Sequence, residues 1–198
     1  LCDFPGLTSH GSCRLCVVEI EGRANMPTAC TTLVEDGMVV QTESPSVQAL
    51  RTELLKLLLS EHPSSCLFCP EKSRCDDCMV TLRKAGVITG CRSCPQDGQC
   101  ELQTLVDRFG LAEVEYPVRY RMLPVKKKDP FFEQDYNLCV LCERCVRVCE
   151  ENHFSSVLTL TSRGTDMLIG TAFGRTHFES GCSFCGACLE VCPTGALS

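Results

Sequence analysis

The 198-residue sequence has no tryptophan and only three tyrosines, so aromatic packing cannot carry its interior, which has to be aliphatic and modest. No apolar run reaches the roughly 18 residues of a membrane-spanning helix, which argues against insertion in a bilayer. There is no glycine-rich phosphate loop, no acid-base pair and no activated nucleophile at recognisable spacing, so nothing indicates catalysis by the chain's own side chains. Positive charge is not in excess either: the formal net charge is -6, which argues against nucleic acid as a partner. Leu1 opens the sequence without a methionine, so a missing targeting segment says nothing about destination.

What the chain has in abundance is cysteine. Its 19 cysteines approach the level of a cysteine scaffold, and three features assign them to metal rather than to disulfides. Their number is odd, they fall in C-x2-C groups, and the cytoplasm, where we place the chain, keeps unligated thiols reduced. With a thin aliphatic core, metal centres are expected to fill much of the interior, and the metal-free chain is expected to fold poorly. Each all-thiolate cluster would add negative charge beyond the side-chain count.

Two C-terminal runs dominate the pattern. Cys139-Val-Leu-Cys142-Glu-Arg-Cys145-Val-Arg-Val-Cys149 and Cys182-Ser-Phe-Cys185-Gly-Ala-Cys188-Leu-Glu-Val-Cys192-Pro193 are both C-x2-C-x2-C-x3-C, although Glu150 stands where the second run has Pro193. Such runs wrap [4Fe-4S] cubes in two-cluster ferredoxins, the fourth cysteine of each crossing to the other cube. The spacing therefore groups Cys139, Cys142, Cys145 and Cys192 around one cluster and Cys182, Cys185, Cys188 and Cys149 around its neighbour. Zinc knuckles are the competing reading, but zinc sites usually space their ligand pairs farther apart.

At the other end, Cys2, Cys13, Cys16 and Cys30 follow C-x10-C-x2-C-x13-C, the plan of a [2Fe-2S] ferredoxin with a longer first loop than plant-type proteins have. Gly6 and Gly11 lie in that loop, where backbone must pass close to inorganic sulfur. Short β-prone runs around Leu15 to Ile20 and from Met38 to Thr42 suggest part of a β-grasp domain over residues 1–43, with roughly 30 residues expected to precede it.

Ser44 and Pro45 open a helix whose Val47, Leu50, Leu54, Leu57 and Leu58 recur at three- and four-residue steps. It delivers His62 to H-x3-C-x2-C-x5-C, formed with Cys66, Cys69 and Cys75. The C-x2-C-x5-C spacing returns at Cys91, Cys94 and Cys100, as in an internal duplication. Sequence proximity groups His62 with Cys66, Cys69 and Cys75, leaving Cys78 for the later trio. The alternative closes Cys66, Cys69, Cys75 and Cys78 into an all-sulfur site, with His62 reaching the later trio; one trio could also hold an incomplete cluster or zinc. In all of these except the last, 19 cysteines and one histidine form five sets of four.

A second helix is expected from Glu101 to Gly110, with Leu102, Leu105, Val106 and Phe109 on one side. Pro117, Pro124 and Pro130 mark an extended connector whose Lys126, Lys127 and Lys128 read as a solvated charge run. Residues 156–162 and 166–173 read as a hairpin turning at Gly164. His10, His153 and His177 have no ligand spacing and read as structural or exposed. Glu143, Arg144 and Arg147 are either potential-tuning charges or plain surface.

Taken in order, these motifs, with Cys100-Glu-Leu-Gln and Asp135-Tyr136-Asn137 leading into Cys139, resemble the N-terminal electron-transfer region shared by NAD(P)-linked formate dehydrogenase large subunits, iron-only hydrogenases and the diaphorase small subunit of NAD-reducing hydrogenases. They are less completely similar to the large iron-sulfur subunit of complex I. The span from Cys78 to Cys100 departs from that pattern. The resemblance implies an α+β chain in three parts: a partial β-grasp [2Fe-2S] ferredoxin domain (1–43), a small helical cluster-binding domain (44–123) and a two-cluster bacterial-type ferredoxin domain (124–198). It implies one [2Fe-2S] and four [4Fe-4S] clusters relaying single electrons between a flavin- and NAD(P)-binding subunit and a catalytic oxidoreductase subunit.

Overall fold

A computed structural model describes residues 1–69, 71, 74, 91, 94–127, 129 and 131–198. Cys75 and Cys78 lie outside the described residues.

Near the N-terminus the chain is mostly loop. Strand β1 (Glu19–Ile20) pairs antiparallel with β2 (Val40–Gln41), Ile20 opposite Val40. Val17, Val18 and Ile20 are buried beneath it. A hydrogen bond from Ala29 N–H to Cys16 O (3.0 Å) and a bridge between Val17 and Thr28 bring the two arms of the loop together.

Helix α1 spans Pro45–Ser60, and its Ser44 cap accepts from the Val47 N–H at 3.3 Å. Ser44 Oγ also donates to Glu19 Oε2 at 2.6 Å, so the cap ties the helix to β1. The apolar periodicity has the right period and holds in part in phase, since Val47 is buried and Leu54 and Leu58 pack against the core. The buried face is Val47, Arg51, Leu55 and Leu59, while Leu50 and Leu57 are exposed. Arg51 occupies that face because its guanidinium donates twice to Val17 O, from Nε at 3.2 Å and Nη2 at 2.8 Å, which answers a buried carbonyl of the first loop.

Helix α2 (Glu101–Phe109) ends at Gly110 in the left-handed conformation that glycine adopts without a Cβ clash. Leu102 and Val106 pack with Leu55 and Leu59 of α1, Leu15 and Cys100 in one cluster, and this core joins the N-terminal loop to both helices.

From Leu123 onward the chain makes a second unit. Asn137 Oδ1 accepts from Leu123 N–H and its Nδ2 donates to Leu123 O, both at 2.8 Å, so one side chain closes the connector onto the segment before Cys139. Helix α3 (Arg144–Arg147) runs into a π-turn at Val148–Asn152, and the hairpin of β3 (Leu158–Thr161) and β4 (Leu168–Thr171) follows. Helix α4 (Ala187–Glu190) precedes the final segment, in which Leu197 bridges to Gln134. Tyr136, Leu158, Ile169 and Leu197 form this unit's core around Cys145. Among the described residues no helix is long and apolar enough to cross a membrane.

Candidate metal centres

The two C-terminal runs fold alike in detail. Leu141 and Phe184 both adopt positive φ, +51° and +54°, and so do Glu143 (+60°) and Gly186 (+78°). Left-handed backbone at leucine and phenylalanine is strained and needs a compensating contact. Here it turns the Leu141 N–H onto Cys139 Sγ at 3.4 Å and the Phe184 N–H onto Cys182 Sγ at 3.3 Å. Glu143 and Gly186 then turn the chain into α3 and α4, which carry Cys145 and Cys188.

Two cavities result. Cys139, Cys142, Cys145 and Cys192 line one, with Tyr136, Ile169, Pro193, Thr194 and Leu197 among its walls. Cys149, Cys182, Cys185 and Cys188 line the other, against Val148, Leu158, Phe184 and His177. Each cavity thus takes three thiols from one run and the fourth from the other. Burial pushes the Cys142 thiol up to about 12 and that of Cys188 likewise to about 12. Four thiols facing one apolar space fit a cationic metal group, which replaces their protons and offsets the mutual repulsion of thiolates.

The N-terminal four form two pairs. The Cys2 N–H donates to Cys13 Sγ at 3.3 Å and the Cys13 N–H to Cys2 Sγ at 3.5 Å, while the sulfurs of Cys16 and Cys30 are 3.4 Å apart. Burial, then the Cys16 and Cys2 sulfurs, push the Cys30 thiol up to about 11. Gly11, at φ +68°, lies so near Thr28 that an added Cβ would meet its Oγ1 at 3.0 Å. The loop therefore closes over the pairs only with glycine there. This two-by-two arrangement fits a two-iron group.

In the middle segment Cys66 lines a cavity with Cys91 and Cys100. Burial pushes the Cys91 thiol up to about 12, helped by the nearby sulfurs of Cys66, Cys100 and Cys94. The structure thus gathers Cys66 with the later trio. Cys69 is half-buried. His62 is 4% exposed, its Nδ1 lacks a hydrogen-bond partner, and burial depresses its pKa to about 4, leaving a neutral imidazole. An unpartnered buried ring nitrogen fits a metal ligand, which neutral histidine provides.

The middle segment abuts the first C-terminal cavity. Cys100 Sγ lies 3.5 Å from Pro193 O, the Glu101 N–H donates to the same carbonyl at 3.0 Å, and Thr194 Oγ1 donates to Leu138 O at 2.8 Å. Arg144 completes the joint with a two-pronged ion pair to Glu101, at 2.5 and 2.8 Å.

The structure decides between the alternatives that the sequence leaves open for three side chains. Arg144 and Arg147 are buried, not surface, because the joints between segments enclose α3. His177 is buried as well, held by Asp129 Oδ2 and Gln134 Nε2, both at 3.0 Å, and set edge-on to Phe132. No local spacing could announce it, since Asp129 and Gln134 lie more than forty residues away. Lys126 stands over the Tyr136 ring and Lys127 pairs with Glu133, while Lys128 lies outside the described residues.

Comparison with known proteins places the chain. Residues 4–45 match the 2Fe-2S iron-sulfur cluster binding domain, and residues 129–198 match the ferredoxin-like domain of NADH-quinone oxidoreductase subunit 3. The NADP-reducing hydrogenase subunit HndD of Solidesulfovibrio fructosivorans is 37% identical over 94% of this chain and 28% of its own length. The alpha subunit of the NADPH-Fe(3+) oxidoreductase of Geobacter sulfurreducens is 33% identical over 100% of this chain and 20% of its own. The chain thus spans less than a third of these curated relatives. A chain of the crystal structure of an NAD+-reducing [NiFe]-hydrogenase in the H2-reduced state superposes with a TM-score of 0.78 at 27% identity, over all of this chain and 73% of that one. The chain thus carries a [2Fe-2S] domain and a [4Fe-4S] ferredoxin-like domain, and along its length it is similar to the iron-sulfur electron-transfer regions of NAD(P)-linked hydrogenase and complex I-like subunits.

Proposed function

We propose that the chain is a one-electron wire of five centres: a [2Fe-2S] cluster on Cys2, Cys13, Cys16 and Cys30 and four [4Fe-4S] clusters on the remaining cysteines and His62. The observation that carries this reading is the exchange of fourth thiols, Cys149 and Cys192, between the two C-terminal cavities. It fixes two centres side by side at a separation that the covalent chain itself sets. Bound clusters supply one-electron redox chemistry, and the chain's part is position, burial and hydrogen bonds to sulfur, which tune each potential. The N–H donors of Leu141 and Phe184 do this at Cys139 and Cys182. The contact of Cys100 with Pro193 supports a route from the middle segment into the first ferredoxin cavity, and the β1–β2 unit suits the remnant of a β-grasp domain.

Partners of this wire are a flavin- and NAD(P)-binding subunit at one end and a hydrogenase- or formate dehydrogenase-type catalytic subunit at the other. A second reading, favoured by the small share of its relatives that the chain spans, makes it the electron-transfer part of a longer catalytic chain.

Anaerobic iron and acid-labile sulfide analysis tests the proposal. Five filled centres give about 18 irons per chain, and about 14 leave one four-iron site unbuilt, with Cys78 to Cys100 the suspect. Colourless protein holding zinc and no sulfide would overturn it.

A further inference from the structure

Arg147 is a buried cation that makes no ion pair among the described residues. It is 8% exposed and directs its donors at main-chain carbonyls. Nη1 donates to Thr8 O at 2.6 Å, while Nη2 donates to Cys2 O and lies 3.5 Å from Cys142 O. Its Nε is buried without a partner, and among the described residues no carboxylate forms an ion pair with it. Arg144, three residues earlier on the same short helix, makes the contrast: Glu101 balances its charge and the Phe4 ring lies beneath it, 5.1 Å away.

An unpaired buried charge is costly, and proteins retain one where opposite charge is at hand. The carbonyls that Nη2 approaches belong to Cys2 and Cys142, members of two different four-thiol groups. All-thiolate iron-sulfur clusters carry net negative charge, and net charge is among the quantities that set their potential.

Resting on the cluster reading above, we propose that Arg147 is the shared counter-charge of the [2Fe-2S] centre and the Cys139 centre, a positioning residue that holds the two together and raises both potentials. In the step it serves, one electron leaves one centre and enters the other. No bond forms or breaks and no proton moves, so the receiving centre gains one negative charge and the donating centre loses one. A fixed cation between them stabilises the added charge on either side, which raises both potentials while changing their difference little.

The test is a redox titration followed by electron paramagnetic resonance on anaerobically purified, cluster-loaded protein, comparing wild type with R147K, R147Q and R147M. The glutamine keeps an amide donor without charge, the methionine keeps bulk, and the lysine keeps charge. R147Q and R147M are expected to make one-electron reduction of both centres about tenfold less favourable, a shift of about 59 mV to more negative potential. R147K is expected to stay near wild type, and the centre on Cys91, Cys94 and Cys100 serves as the unshifted internal reference. Loss of clusters from the neutral variants alone, with R147K retaining clusters and potentials, also supports a role for charge. Neutral variants that titrate like wild type, an R147K shift as large as theirs, or loss of clusters from all three variants would overturn it. Wild-type protein without cluster signals would instead sink the cluster reading on which the proposal rests.

Discussion

Gly195 presses against Cys94 so closely that a Cβ on the glycine would fall upon the Cys94 sulfur. Gly195 belongs to the segment that follows Cys192, and Cys94 to the middle trio, so this contact sets how near the trio lies to the first ferredoxin cavity. Only a residue without a side chain permits it.

Gly195→Ala is therefore expected to overpack the joint, at a cost of about 1–3 kcal/mol, and to loosen the middle centre before the C-terminal ones. Thermal unfolding and the iron retained per chain after desalting measure both effects. Unchanged melting together with full iron would mean that the contact is not a constraint.

Exchange of the fourth thiols makes a pairing prediction that runs against sequence order. Cys192→Ser is expected to behave like Cys139→Ser, and Cys149→Ser like Cys182→Ser, each losing about four irons per chain. The low-temperature spin signals of the four variants decide it. A Cys192→Ser spectrum matching that of Cys182→Ser would refute the exchange.

His62 offers a test of ligation by charge. Replacing a neutral imidazole with a thiolate adds negative charge to a centre, so His62→Cys is expected to keep the cluster at a more negative potential, whereas His62→Ala loses it. A potentiometric titration of both variants reads the difference. If His62→Ala retained the full iron complement and an unaltered spectrum, the buried imidazole would be structural.

One pH effect lies away from the thiols. Tyr116 donates to Glu53 Oε2 at 2.6 Å and Lys56 Nζ lies 3.1 Å from Oε1, and these two hold the Glu53 carboxyl below its usual value. A carboxyl depressed in the folded state contributes stability that is present above the unfolded value of about 4.3 and is lost as pH falls through the folded one. Tyr116→Phe is expected to raise the Glu53 titration midpoint and narrow that window, as followed by carboxyl-carbon NMR. Because the Glu53 side chain is 46% exposed, solvent screening keeps the effect on overall stability small. A midpoint that stays put in Tyr116→Phe would assign the depression to Lys56.

Legibility divided along physical lines. Ser44 and Pro45 announce α1 because capping is a local event, yet the apolar spacing catches only part of the buried face of α1, because Arg51 lies on it. A charged residue counts against burial in any periodicity, and only the Val17 carbonyl across the fold explains its place. The left-handed turns at Leu141 and Phe184 were equally hidden, since neither side chain favours positive φ and the N–H contacts to sulfur that accompany it emerge only once the runs are folded. For Arg144, Arg147 and His177 the sequence leaves both a buried and a surface role open, because their partners, Glu101, Cys2 and Asp129, are distant in the chain.

By itself the sequence determined which thiols of the two C-terminal runs travel together, because x2 and x3 spacings on so short a tether leave few ways to turn a cysteine, and it left the sets of the middle segment open. It also determined the helices and the hairpin, whose signals lie within a few neighbouring residues. Tertiary structure alone decided which groups touch: that Cys66 lies with Cys91 and Cys100, that Gly195 admits Cys94, and that one guanidinium lies between Cys2 and Cys142. The reason is range: spacing constrains atoms a few bonds apart, whereas contacts between groups depend on how separately formed pieces of chain pack, which no local pattern encodes.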